Sequence, residues 1–214
     1  MALKRRIKIN DLRGSVASKT LADYGELAEG VGEILISEER LHQRVVEIAA
    51  EISRDYAGLN PLLVGVLKGV LFFMSDLLQT LTIHAQIDFM AISSYSPETR
   101  QRGVVRLVKD LEIPIEGRHI LFVEDVIDTG LTLNYIVKNL RTRLPASLEI
   151  CVLFNKPHHR LIDIPIKYKG FDLPDRFVVG YGLDHDEKYR NLPFVALLKP
   201  EVFQGDLKKY RGSK

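Results

Sequence analysis

The residues of this chain best suited to chemistry stand close together: Glu124 and Asp125, then Asp128, Thr129, Gly130, Leu131 and Thr132. An apolar run, Ile120 to Val123, ends in the two carboxylates. Small hydroxyl residues and a glycine follow, where a helix should begin. A helix start leaves backbone N–H groups unpaired and carries partial positive charge, so it binds phosphate. A carboxylate pair is poor company for bare phosphate but accepts hydrogen bonds from a cis-diol. Together they suit a ribose phosphate. A plain strand–helix connection, with Asp128 and Thr129 capping the helix, accounts for one acid but not for the Glu124–Asp125 pair.

These residues need a scaffold, and the hydrophobic pattern supplies one. Ser37-Glu38-Glu39 reads as a capped helix start, with Leu41, Val45, Ile48, Ala49 and Ile52 at helical spacing after it. Pro61 to Leu67 is a continuous apolar run, as expected of a strand buried on both faces. The pattern predicts a helix from Val70 to Leu81, strands at 85–92, 104–108, 120–123 and 148–154, and a helix over 131–143. Such alternation implies an α/β fold, with a mostly parallel twisted sheet flanked by helices. Beyond Pro157, prolines, glycines and short apolar bursts predict a smaller, irregular lobe. The expected organisation is an N-terminal extension over 1–30 and a single domain over 31–214. That domain has its core at about 37–156 and its lobe at about 157–205.

Composition excludes several classes. The chain has 214 residues, 46% hydrophobic and 27% charged, with a formal charge of +2. That charge is too small to argue for nucleic acid. The single cysteine, Cys151, sits in an apolar run and reads as a buried, reduced thiol. No apolar run approaches a membrane span, and no apolar segment follows the basic N-terminus as in a secretory signal. A cytoplasmic protein is the expectation. His158-His159 invites a metal reading, but adjacent histidines point apart and no second ligand cluster is evident.

The apolar strand, the acid pair and Asp-Thr-Gly-x-Thr of 120–132 resemble the phosphoribosyl-pyrophosphate motif of the type I phosphoribosyltransferases. The form is that of the 6-oxopurine branch, the hypoxanthine or hypoxanthine-guanine phosphoribosyltransferases. The segment from Phe177 to Asp184 resembles that family's base-binding segment, and the resemblance runs from about residue 33 to about 203.

The resemblance implies purine salvage. The 5-phosphoribosyl group would pass from phosphoribosyl pyrophosphate to N9 of hypoxanthine or guanine, giving IMP or GMP and pyrophosphate. Residues 128–132 would cradle the 5-phosphate, and Glu124 and Asp125 would hold the ribose hydroxyls. Asp128 is the family's candidate general base. Lys68 and Gly69, directly after the first buried strand, match the pyrophosphate loop, and Arg190 matches a pyrophosphate-binding arginine. Lys156 would donate to the purine O6, Phe177 would stack on the ring, and the Val178 backbone would read the base edge. Asp184 would hold Mg²⁺, with Glu124 and Asp125 as further metal residues. Ser94 and Tyr95 match a lid loop, although Arg100 and Arg102 depart from its usual small residues. Some relatives carry lysine at the position of Leu131. The lobe beyond Pro157 would be a hood over the base, and a homodimer or homotetramer would be expected. No nucleic acid or membrane partner is implied. A xanthine-preferring enzyme, or a nucleotide-sensing regulator of this fold that binds RNA, stands as the alternative.

Overall fold

The computed structural model describes residues 20–93 and 106–202. They fall into two units, one holding the described residues 20–32 and 199–202, the other residues 33–198. In the first unit the Thr20 backbone N–H donates to Asp23 Oδ2 at 2.7 Å and starts a short 3₁₀ turn, Leu21–Tyr24. Helix α1, Glu26–Glu29, follows. Lys199 ties back to it, donating from N to Gly30 O at 2.9 Å and from Nζ to Glu29 O at 2.8 Å. Strand β1, Val31–Ile36, begins in this unit and ends in the larger one.

The larger unit is built on a six-stranded sheet. Its strands are β2 (Leu62–Leu67), β3 (Gln86–Ser93), β4 (Arg106–Lys109), β5 (His119–Ile127), β6 (Ser147–Asn155) and β7 (Tyr168–Asp172). They lie in the order β4-β3-β2-β5-β6-β7. Every pairing is parallel except β3 with β4. Helices α2 (Glu38–Asp55), α3 (Leu71–Thr80) and α4 (Leu131–Arg141) cover the faces.

The alternation of side chains along the central strands divides the core in two. Leu63, Leu121 and Val123 pack with Val45, Ile48 and Ile52 of α2 and Phe73 and Leu77 of α3. Leu62, Val64, Ile120 and Phe122 pack on the other side with Leu133, Ile136 and Leu140 of α4. Each such side chain, fully buried, contributes about 1.5–3 kcal/mol. This is why β2 and the first half of β5 read as unbroken apolar runs. The Ser37 hydroxyl accepts from Arg40 N at 3.3 Å, so α2 starts where its cap residue predicts.

Two elements differ from the sequence reading. Strand β5 does not end at Val123 but runs through both acids to Ile127. Its ladder with β6 continues through Glu124↔Val152, Val126↔Phe154 and Ile127↔Asn155. Residues 168–172, expected in the irregular lobe, instead form the edge strand β7 of the main sheet, with Tyr168 opposite Cys151. Gly170 permits that approach, since a Cβ there would lie 2.3 Å from Leu153 O. A second, three-stranded sheet has the order β1-β9-β8, where β8 is Val178–Val179 and β9 is Val195–Leu198.

One buried acid belongs to the scaffold. Asp88 on β3 accepts from Phe89 N at 2.7 Å, Glu112 N at 2.7 Å and Ile113 N at 2.9 Å, and faces Lys109 Nζ at 3.4 Å. Burial pushes its carboxyl up, but the three N–H bonds and the Lys109 charge outweigh that and hold it below the usual carboxylate range.

Candidate active site

Parallel strands β2, β5 and β6 all end at one edge of the sheet, the edge where α/β folds bind ligands. From β2 the chain turns through Lys68 and the buried Gly69. The peptide joining Leu67 to Lys68 is cis. From β5 come Glu124, Asp125 and the turn 128–130, and from β6 comes Lys156.

The first group of residues closes on itself. A Cβ at Gly69 would lie 1.8 Å from Asp125 Oδ2, so only a glycine lets the loop reach the acid. A Cβ at Gly182, whose φ is +96°, would lie 2.1 Å from Gly69 O. Arg190 donates from one nitrogen to Gly182 O at 2.8 Å, and its other terminal nitrogen meets Asp184 Oδ1 at 2.8 Å and Glu187 Oε1 at 3.3 Å. Glu187 also pairs with Lys68 Nζ at 2.9 Å. Lys68, Gly69, Asp125, Asp184 and Arg190, distant in sequence, are thus brought together. Glu187 and Gly182 join them without having been singled out in the sequence. Gly182 had a visible signal in Gly180-Tyr181-Gly182, whereas nothing in the spacing marks Glu187.

The electrostatics of this group are unsettled in a way that points to a ligand. Burial pushes the Asp125 carboxyl up to about 6, against backbone N–H bonds and the Arg190 charge that pull it down, while Asp184 adds to the rise. Burial, then the neighbouring Asp125, pushes Glu124 well above the usual range. Glu124 Oε2 and Arg190 Nε are both buried without a hydrogen-bond partner. An unmet acceptor and an unmet donor each cost about 1–3 kcal/mol, which a ligand carrying hydroxyls and anionic oxygens would recover.

The second group surrounds the turn after β5. Gly130 adopts φ +82° and opens α4. Thr129 Oγ1 accepts from Leu131 N at a long 3.4 Å. At a helix start the first-turn amides lack intrahelical partners, so Thr132 N–H, and Leu131 N–H on release of that long bond, can serve an anion. Behind the turn, Thr129 O accepts from Leu161 N at 2.9 Å and Ile162 N at 3.3 Å, and Ile127 O accepts from Lys156 N at 2.9 Å. Asp128 is exposed, and its Oδ1 meets His159 Nδ1 at 2.7 Å. Lys156 Nζ donates to Arg176 O at 3.2 Å, beside Phe177. The half-exposed Phe177 ring stands edge-on to His185 at 5.2 Å between centroids, while Val178 is buried in β8 opposite Leu197. Ser94 and Tyr95 lie outside the described residues.

For a divalent cation the expected donors are Asp184, Glu124 and Asp125. Among the described residues no three His, Cys, Asp or Glu side chains converge as a metal cage. Mg²⁺ commonly takes only one or two carboxylates and completes its shell with water and substrate phosphate. The unmet Glu124 oxygen and the Asp125–Asp184 proximity fit that mode of binding.

Fold and site together define a phosphoribosyl transferase, and residues 32–186 match the family model described as "Phosphoribosyl transferase domain". The chain is 47% identical to the hypoxanthine-guanine phosphoribosyltransferase of Bacillus subtilis (strain 168) over 174 residues, 81% of this chain and 97% of the relative. It is 44% identical to that of Mycobacterium avium over 192 residues, 86% and 95% of the two chains. The crystal structure of a hypoxanthine phosphoribosyltransferase from Staphylococcus aureus (tetragonal form) superposes with a TM-score of 0.79 at 45% identity, covering 82% of this chain and 95% of that one. The chain belongs to the hypoxanthine-guanine phosphoribosyltransferase family.

Proposed function

We propose that this chain salvages 6-oxopurines, transferring the 5-phosphoribosyl group of phosphoribosyl pyrophosphate to N9 of hypoxanthine or guanine and releasing pyrophosphate. The observation that carries the reading is the closed group of Lys68, Gly69, Asp125, Asp184, Glu187 and Arg190 beside the unmet Glu124 oxygen. It offers cations to a leaving pyrophosphate and carboxylates to a sugar diol at one edge of the sheet. Family membership and relatives named for this activity, at 47% and 44% identity, support it.

The roles follow from the chemistry of each group. Attack of N9 on C1 expels pyrophosphate, and the ribose ring passes through a cation-like state. Lys68, the Gly69 amide and Arg190 stabilise the charge on the leaving group. Lys68 and Arg190 are occupied by acids here, so pyrophosphate takes the place of Glu187 and part of Asp184. Glu124 and Asp125 accept from the ribose hydroxyls. Residues 128–132 hold the 5-phosphate chiefly through backbone N–H groups, so Leu131 serves there without a charge. Phe177 offers a flat apolar face to the purine. Lys156 donates to O6, which an amino group could not accept. The Val178 backbone meets the base edge. Asp128 faces the purine N7 as general base. Mg²⁺ bound by Asp184 with Glu124 and Asp125 would neutralise pyrophosphate oxygens. Ser94 and Tyr95 would close over the site. A cytoplasmic homodimer or homotetramer completes the reading; no helix among the described residues is long and apolar enough to cross a membrane.

The test is pyrophosphate release from phosphoribosyl pyrophosphate and Mg²⁺ with hypoxanthine, guanine, xanthine, adenine or uracil. Turnover with hypoxanthine or guanine and none with adenine is expected. Preference for xanthine, or sugar-pyrophosphate binding without turnover of any base, would overturn the proposal.

A further inference from the structure

His159 sits in a short 3₁₀ turn, Pro157–His159, directly after β6. Its Nδ1 meets Asp128 Oδ1 at 2.7 Å, and its Nε2 meets Asp175 Oδ1 on the far side. Each ring nitrogen thus faces a carboxylate oxygen, an acceptor of hydrogen bonds, and the ring is clamped between two acids. Charge-assisted bonds of this kind are shorter and stronger than neutral ones and fix orientation. The other charged groups at this place are Arg160, whose charge also reaches Asp128 and Asp163, and Lys156, which is turned to Arg176 O. Arg160 donates to Asn155 Oδ1 rather than to Asp128. His159 is therefore the side chain that grips Asp128, and Asp175 is what grips His159.

The turn that carries Asp128 leaves that side chain exposed, so packing alone does not choose its rotamer. A general base must lie within hydrogen-bond reach of the atom it serves, and a small misplacement is costly. We infer that His159 is a positioning residue: with Asp175 behind it, it holds Oδ1 of Asp128 so that Oδ2 meets the purine. The inference rests on the proposed role of Asp128. It also gives the histidine a task that needs no metal, and it extends the site to Asp175, two residues ahead of Phe177.

The experiment is a double-mutant cycle with steady-state kinetics on hypoxanthine and guanine. Asn places an amide nitrogen near the position of Nδ1, whereas Leu offers no donor. His159→Leu should lower kcat on the order of 10-fold, the size of losing one charge-assisted hydrogen bond, with KM for phosphoribosyl pyrophosphate unchanged. His159→Asn should recover most of that loss. In an Asp128→Asn background, His159→Leu should lower kcat no further, because the two residues act as one unit. Melting temperatures of the wild type and the four variants separate these effects from misfolding. Three results would overturn the inference: an unchanged kcat in folded His159→Leu, a loss that His159→Asn does not recover, or the same loss in the Asp128→Asn background. If Asp128→Asn alone keeps full rate, the role of Asp128 fails and the inference falls with it. A wild-type chain that turns over no base would remove both.

Discussion

Replacing Gly69 by alanine tests the convergence of the site with a single methyl group. The new Cβ would stand 1.8 Å from Asp125 Oδ2 and 2.8 Å from Asp125 Cγ. That approach falls roughly 1.6 Å short of the 3.4 Å at which ordinary contact begins. Asp125 has little room to retreat: Val126 N–H holds its Oδ1 at 2.8 Å, and its strand is paired with β6. The loop is no freer, because Gly69 O is pressed by Gly182 from the other side. Overpacking of this kind costs about 1–3 kcal/mol. For a chain of this size that lowers the melting temperature by roughly 2–12 °C. The effect on chemistry should be larger, since displacing a positioned group by about 1 Å can cost on the order of 10²-fold. Pyrophosphate release under saturating hypoxanthine, with a thermal melt of the same sample, reads both quantities. Full turnover in Gly69→Ala, at an unchanged melting temperature, would refute the contact between the loop and Asp125.

Affinity for Mg²⁺ and phosphoribosyl pyrophosphate should weaken as pH falls through about 6, where Asp125 takes up its proton, and a calorimetric titration between pH 5 and 8 would show it. The sign for stability is opposite: a raised carboxyl favours the folded, ligand-free protein at low pH, and that contribution is lost as pH rises from the usual carboxylate range through about 6. Asp88 behaves the other way. Its lowered pKa adds stability above the usual carboxylate range that is lost as pH falls through its folded value, so Asp88→Ala should flatten the acid limb of a pH–stability profile. The same variant leaves three backbone N–H groups unmet, for a loss on the order of 3 kcal/mol in chemical denaturation. Lys156→Leu should lower kcat/KM for hypoxanthine by about 10- to 100-fold, the worth of a charged hydrogen bond, while sugar-pyrophosphate binding measured without base stays constant.

The parts of the fold that depend on local pattern were legible in the sequence. Ser37 and the 3.6-residue spacing after it define α2. The apolar runs at β2 and β6 announce strands covered on both faces, and the acid pair with Asp-Thr-Gly-x-Thr marks one edge of the sheet. What local pattern could not show were features that depend on distant partners. Carboxylates inside a buried strand look like its end, because their desolvation is costly, yet the ladder to β6 carries β5 three residues past the first of them. Strand β7 contains Gly170 and follows two prolines, so its place beside β6 is set by a close approach to Leu153. The resemblance identified Lys68, Asp184 and Arg190, but their shared partner Glu187 is an ordinary surface acid by type and spacing. His159 stood out only as half of a histidine pair, since its two carboxylates come from residues 31 behind and 16 ahead.

The backbone bonds behind the turn after β5 have a mechanical consequence. Ile127 O and Thr129 O accept from the amides of Lys156, Leu161 and Ile162, so the turn proposed to take a phosphate and the lysine proposed to take a base hang from one welded frame. No side-chain replacement other than proline can cut those three bonds. The backbone positions of the two ends are thereby tied to each other, like the jaws of a caliper. On the proposed roles, a nucleoside monophosphate would span both jaws. An analogue stretched by a single methylene between sugar and phosphate should seat at one jaw only.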